Sequence, residues 1–150
     1  MLQRIFGLAG LAGILLACAS LAASAENSRD FGEYVVHFNA MATDVLPPQV
    51  AREYRITRSR SRGMINITVL KKLLGSPGQP VHARIETSAV NLAGQRKDIR
   101  MREFREGTAI YYIAEFGVSH EETLKFDVRI SPQETQQVFQ VEFSQDFYTQ

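Results

Sequence analysis

Apolar side chains recur at every second position through most of the chain. The alternation is cleanest from Leu124 to Ile130, where Leu124, Phe126, Val128 and Ile130 face away from Lys125, Asp127 and Arg129. A period of two marks a half-buried strand. The same reading gives a strand over 31–38, with Tyr34, Val36 and Phe38 on one face. Another covers 62–74, where Ile65, Ile67 and Val69 oppose Met64, Asn66, Thr68 and Leu70. Its β-branched residues suit a pleated surface, which makes it the strand the others pack around. Further strands fall at 81–89, 97–104, 108–116 and 138–143. The 108–116 run is apolar on both faces, as expected of a central strand covered on both sides. Within 97–104, Phe104 breaks the parity of Ile99 and Met101, which fits a bulge or a strand end.

Turn residues separate these runs at 75–80, 91–95, 106–107 and 131–134. Residues 26–30 read as a polar leader and 39–44 as a loop. Pro47 and Pro48 exclude a central strand, and Pro48 opens a short helix reaching Tyr54. Val50 and Tyr54 share a face of that helix and are expected to plug one end of the core. No helical stretch is long enough for a crossover between parallel strands. The expected fold is all-β, an antiparallel two-sheet sandwich of immunoglobulin-like size with about seven strands and one short helix.

The first 25 residues follow another pattern. Arg4 precedes an uncharged apolar run, Ile5 to Leu16, and Ala23-Ser24-Ala25 has the small-x-small form a signal peptidase accepts. At about 12 residues the run is too short to span a bilayer. It predicts a signal peptide over 1–25 and one domain over 26–150. Leu15-Leu16-Ala17-Cys18 offers a second route, because it resembles a lipobox whose cysteine is lipidated. Leu16 fits that motif less well than Ala23-Ser24-Ala25 fits simple export. Cys18 is the only cysteine, so a chain cut after Ala25 is held by its core without a disulfide. The expected location is the periplasm or another exported site, with an outer-membrane lipoprotein as the alternative.

Charge is unevenly placed. Residues 26–51 hold one basic and four acidic side chains, 52–105 thirteen and four, and 106–150 two and eight. Within the basic part, Arg52, Arg55, Arg58, Arg60 and Arg62 stand close together with Glu53 the single acid among them. Arg58, Arg60 and Arg62 point the same way in an extended segment. Guanidinium groups suit bidentate capture of carboxylate or phosphate. One reading is a surface for a lipid headgroup, a lipopolysaccharide phosphate, an acidic glycan or an acidic partner protein. The other is pairing with Glu106, Glu115, Glu121, Glu122 or Asp127, worth only ~0–1 kcal/mol per exposed pair. An exported address argues against nucleic acid.

Catalytic signatures are missing. There is no Gly-x-Ser-x-Gly elbow. His120-Glu121-Glu122 lacks the second histidine of a zinc helix, because position 124 is Leu. His37, His82 and His120 are far apart in sequence, so neither a metal nor a cofactor is expected. An enzyme is the alternative reading, with its cleft lined by His37, Asn66, Tyr111 and Tyr112. Asn66 on a central strand needs a partner for its amide if buried.

Tyr34 to Ala40, Leu46 to Tyr54, Arg58 to Gly63 and Asn66 to Leu70 resemble the bacterial domain-of-unknown-function family 4426. So do Arg105 to Gly107, Ala109 to Ala114 and Phe143 to Tyr148. The resemblance covers essentially the whole chain after the leader and implies an exported protein of Gram-negative bacteria. It carries no established activity and so transfers no catalytic role. The function expected from all of this is a non-enzymatic envelope binding or accessory module, engaging an anionic component or acidic partner through its arginines. Membrane contact would come only through a lipidated Cys18.

Overall fold

The computed structural model describes residues 27–149; the expected leader and Cys18 lie outside them. Ten strands form two antiparallel sheets: β1 Ser28–Asp30, β2 Tyr34–Ala42, β3 Arg62–Lys71, β4 Gln79–Pro80, β5 Ala83–Asn91, β6 Arg96–Ile99, β7 Arg102–Glu106, β8 Ala109–Gly117, β9 Glu122–Pro132 and β10 Phe139–Phe147. The larger sheet runs β1-β2-β3-β8-β7, with β4 also on β3; the smaller runs β10-β9-β5-β6. The all-β sandwich and its short helix, α1 (Pro48–Glu53), are as the periodicity predicts. β3 indeed lies inside its sheet, between β2 and β8.

The strand count exceeds the expected seven for three local reasons. β1 is three exposed residues with no apolar alternation, held by pairing with Val35 to His37 of β2. β4 is two residues, Gln79 and Pro80, against the end of β3. The run 97–104 is two strands in different sheets: β6 pairs with β5, β7 pairs with β8, and Arg100 and Met101 step between the layers. The parity break at Phe104 is the trace of that crossing. Ile99 is buried in the interior, while Phe104 packs on the outside of the other sheet. β2 also runs on past Phe38, because Asn39 to Ala42 keep pairing with Gly63 to Asn66.

The inward faces meet in one core that takes Tyr34, Val36 and Phe38 from β2, Ile65, Ile67 and Val69 from β3, and Leu124, Phe126, Val128 and Ile130 from β9. Aromatic rings tie the layers, with Phe38 4.7 Å from Phe143, Phe116 edge-on to Phe126 at 5.4 Å, and Phe116 edge-on to Phe147 at 5.6 Å. Gly63 makes room for this cluster. A Cβ there would lie 2.7 Å from Phe116 Cζ and 3.0 Å from Phe147 Cε1.

A second, smaller core lies outside the larger sheet. Ala51 of α1 and Ile56 just after it meet Met64 of β3 and Ile113 of β8, with Leu46, Tyr54, Phe104 and Tyr111 at the margin. β8 is therefore apolar on both faces because it faces two cores. α1 covers a sheet face rather than plugging an end, and Val50 is outside that cluster, which corrects the expected docking.

Candidate functional site

The segment that carries the arginines, 52–62, begins at the end of α1 and is pinned at four points. The helix closes on two backbone bonds, Ile56 N–H to the Ala51 carbonyl at 2.7 Å and Arg55 N–H to the Arg52 carbonyl at 3.2 Å. This double closure needs the residue between to turn left-handed, and Arg55 does so with φ of 55°. Ile56 then enters the outer core. Thr43, fully buried, follows: its hydroxyl accepts from the Ser59 amide at 2.9 Å and donates to the Thr57 carbonyl at 2.8 Å. The Ser59 carbonyl lies 3.1 Å from the same hydroxyl. Finally the Thr57 amide donates to the Glu115 carboxylate at 3.0 Å.

Glu115 is the hub of the sheet face beneath. Its side chain is only 13% exposed, with Arg62 Nε at 3.4 Å and an Arg102 terminal nitrogen at 3.4 Å. The Arg102 guanidinium in turn lies over the Phe104 ring, 5.2 Å from its centre. Arg62 is thus tied down, as the cross-sheet pairing reading anticipates. The other acids named in that reading go elsewhere. Glu106 accepts from the Tyr54 hydroxyl at 2.8 Å, Glu121 lies 3.7 Å from His120, Glu122 holds Lys97 at 2.9 Å, and Asp127 holds Gln140.

The remaining four arginines face solvent. Arg58 donates to the Asp44 carbonyl at 2.8 Å, and Arg60 reaches the Asp44 carboxylate only at 3.9 Å, with its side chain 71% exposed. Arg52 and Arg55 are exposed and have no ion pair among the described residues. A fixed segment therefore presents four guanidinium groups that no nearby carboxylate holds closely.

Of the four residues expected to line a cleft, His37, Asn66 and Tyr111 share the outward face of the larger sheet and Tyr112 lies on its inner face. His37 and Asn66 lie on the outward-facing positions of β2 and β3, in line with Thr68 and with Asn39 and Ile113. Tyr111 is among the outer-core neighbours, whereas Tyr112 is buried in the inner core, on the opposite face. The Asn66 Oδ1 is buried without a hydrogen-bond partner among the described residues, so Thr43 and Glu115, not Asn66, fasten the 43–62 segment to the sheet.

Tyr112 belongs to a different group. Its hydroxyl accepts from the Ala83 amide at 2.8 Å and donates to Glu103 at 3.1 Å. Burial first, and the Glu103 charge beside it, push the Tyr112 hydroxyl up to about 12. Glu103 also accepts from Arg105 at 2.8 Å and contacts His82 at 3.2 Å. The Arg105 bond holds its carboxyl below the usual range. This network bridges β7, β8 and the start of β5 and reads as joinery between the sheets. His120 is distant from it, bonded to the Thr149 amide at 3.1 Å. Among the described residues no three of His, Cys, Asp and Glu converge to hold a metal.

The fold and this face define an all-β sandwich carrying an arginine-bearing segment pinned over one sheet. The profile of the family described as Domain of unknown function (DUF4426) matches residues 28–150, and the chain belongs to that family. It is similar to the crystal structure of a DUF4426 family protein from Pseudomonas aeruginosa PAO1, with TM-score 0.69 and 30% identity over 82% of this chain and 94% of that one. FetP of uropathogenic Escherichia coli strain F11, expressed recombinantly in the periplasm, shares the fold at TM-score 0.57 and 10% identity, covering 81% of this chain and 93% of that one. A copper-bound variant of FetP gives TM-score 0.56 at 9% identity, covering 82% and 90%. Among curated proteins none matches the chain by sequence.

Proposed function

We propose that this protein is a non-enzymatic binding module of the cell envelope, acting in the periplasm. Arg52, Arg55, Arg58 and Arg60 capture an anionic envelope component or an acidic partner protein. Arg55 is the observation that carries the reading. It holds a left-handed conformation where glycine is the ordinary residue. A non-glycine residue there costs about 1–3 kcal/mol, and such strain gathers at functional positions. Arg55 places a guanidinium at a point where glycine would sit without strain.

The rest supports the same view. Thr43, Ile56 and Glu115 hold the segment in place, so binding would order little backbone anew. The expected leader supplies export, and FetP, which has this fold, was expressed in the periplasm. Copper is not carried across from FetP, because His37, His82 and His120 occupy three separate places here. No helix among the described residues is long and apolar enough to cross a membrane.

Affinity capture from envelope extract tests the reading. Wild-type protein should retain a component that the Arg52→Gln/Arg55→Gln/Arg58→Gln/Arg60→Gln variant loses, with recovery falling as salt rises. Equal recovery on both baits overturns it.

A further inference from the structure

We propose a second binding site, for a small organic anion with an apolar body, in a cleft on the smaller sheet. β5 pairs with β9 over its whole length from Ala83, but β6 pairs with β5 only from Thr87 to Val90. Arg100 and Met101 then leave for the larger sheet, so nothing of β6 continues alongside the first residues of β5. The space left is about 690 Å³, within the range of small-molecule sites. Buried Ile99 and half-buried Ile85 and Met101 give it apolar walls.

The uncommitted polar side chains of the cleft are two guanidiniums, Arg100 and Arg129, which only donate, and two hydroxyls, Thr87 and Ser88, which donate or accept. Thr87 lines it at 7% exposure, and its hydroxyl has no hydrogen-bond partner among the described residues. Arg100 and Arg129 line it as well and form no ion pair among the described residues. Two of the three carboxylates are neutralised, Glu86 by Arg84 and Asp98 by Arg96 at 2.9 Å, while Asp127 accepts from the uncharged Gln140 amide and keeps its charge. Two open guanidiniums against the single Asp127 charge leave the cleft net positive, which selects an anion. Apolar walls select a carbon body over a bare inorganic ion. The site stands apart from Arg52 to Arg60 and does not depend on the reading given to them.

Benzoate is the probe, with acetate and benzyl alcohol as partners lacking the ring or the charge. Titrated into isotope-labelled protein, benzoate should give saturable amide shifts at Thr87 and Ile99, and the other two should bind at least tenfold more weakly. Arg100→Gln/Arg129→Gln should weaken benzoate at least tenfold, and Thr87→Val severalfold with an unfolding midpoint no lower than wild type. Arg52→Gln/Arg55→Gln should change nothing at this site. Shifts that fail to saturate, that are equal for the three probes, or that survive in the Arg100→Gln/Arg129→Gln protein overturn the proposal.

Discussion

At the scale of single residues, the sandwich is most sensitive where the two layers touch without a side chain between them. Gly63 is that point, because the Phe116 and Phe147 rings fill the place of its missing Cβ. Phe116 is itself wedged edge-on against Phe126 at 5.4 Å and cannot swing aside cheaply. Gly63→Ala should cost roughly 1–3 kcal/mol as overpacking, read as a lower urea midpoint at an unchanged slope. A second residue-scale test uses Glu122. Burial opposes its charge, but bonds from the Ser119 amide, Lys97 and Asn91 outweigh that and hold its carboxyl below the ordinary range. Lowered in the folded state, it stabilises above the ordinary glutamate value and loses that contribution as pH falls below about 4.3. The stability gap between wild type and Glu122→Gln should therefore be full at pH 7 and close below pH 4. Neither residue stood out in the sequence. Gly63 read as the start of a strand and Glu122 as an exposed acid, because both depend on partners more than twenty positions away.

At the scale of elements, protection should follow sheet position. β9 is paired along its length with both β5 and β10, whereas β1 and β4 are short and peripheral. Native-state hydrogen exchange should find its slowest amides in β9 and its fastest in β1 and β4. Period-two patterning made β9, β3 and β8 legible, since each alternates against a core or lies between two. It could not divide 97–104, because Ile99 and Met101 keep parity across the step between sheets and only Phe104 betrays it. It also could not place α1, whose partners Met64 and Ile113 face outward on strands whose inner faces carry the stronger signal. One hydroxyl, that of Thr43, supplies one of the four fastenings of the segment after α1. Thr43→Val leaves the Ser59 amide and Thr57 carbonyl short of a partner, and should cost about 1–3 kcal/mol while raising exchange at Thr57 and Ser59.

At the scale of the molecule, folding brings the basic middle of the chain against its acidic ends. Lys72 meets Asp30, Lys71 meets Glu134, Lys97 meets Glu122, and both Arg62 and Arg102 meet Glu115. The pairing reading of the arginine row holds at Arg62, which meets Glu115. Arg62 belongs to the sheet, and Arg52, Arg55, Arg58 and Arg60 remain toward solvent. Spacing alone could not make that division, since Arg58, Arg60 and Arg62 repeat with one period and Glu115 lies on a strand far along the chain. The distinction can be read directly from the arginine Nε–H resonances while pyrophosphate is added at low salt. The signals of Arg52, Arg55, Arg58 and Arg60 should move together and saturate, while those of Arg62 and Arg102 stay fixed against Glu115. Four unmoved signals, or equal movement of all six, would contradict the account.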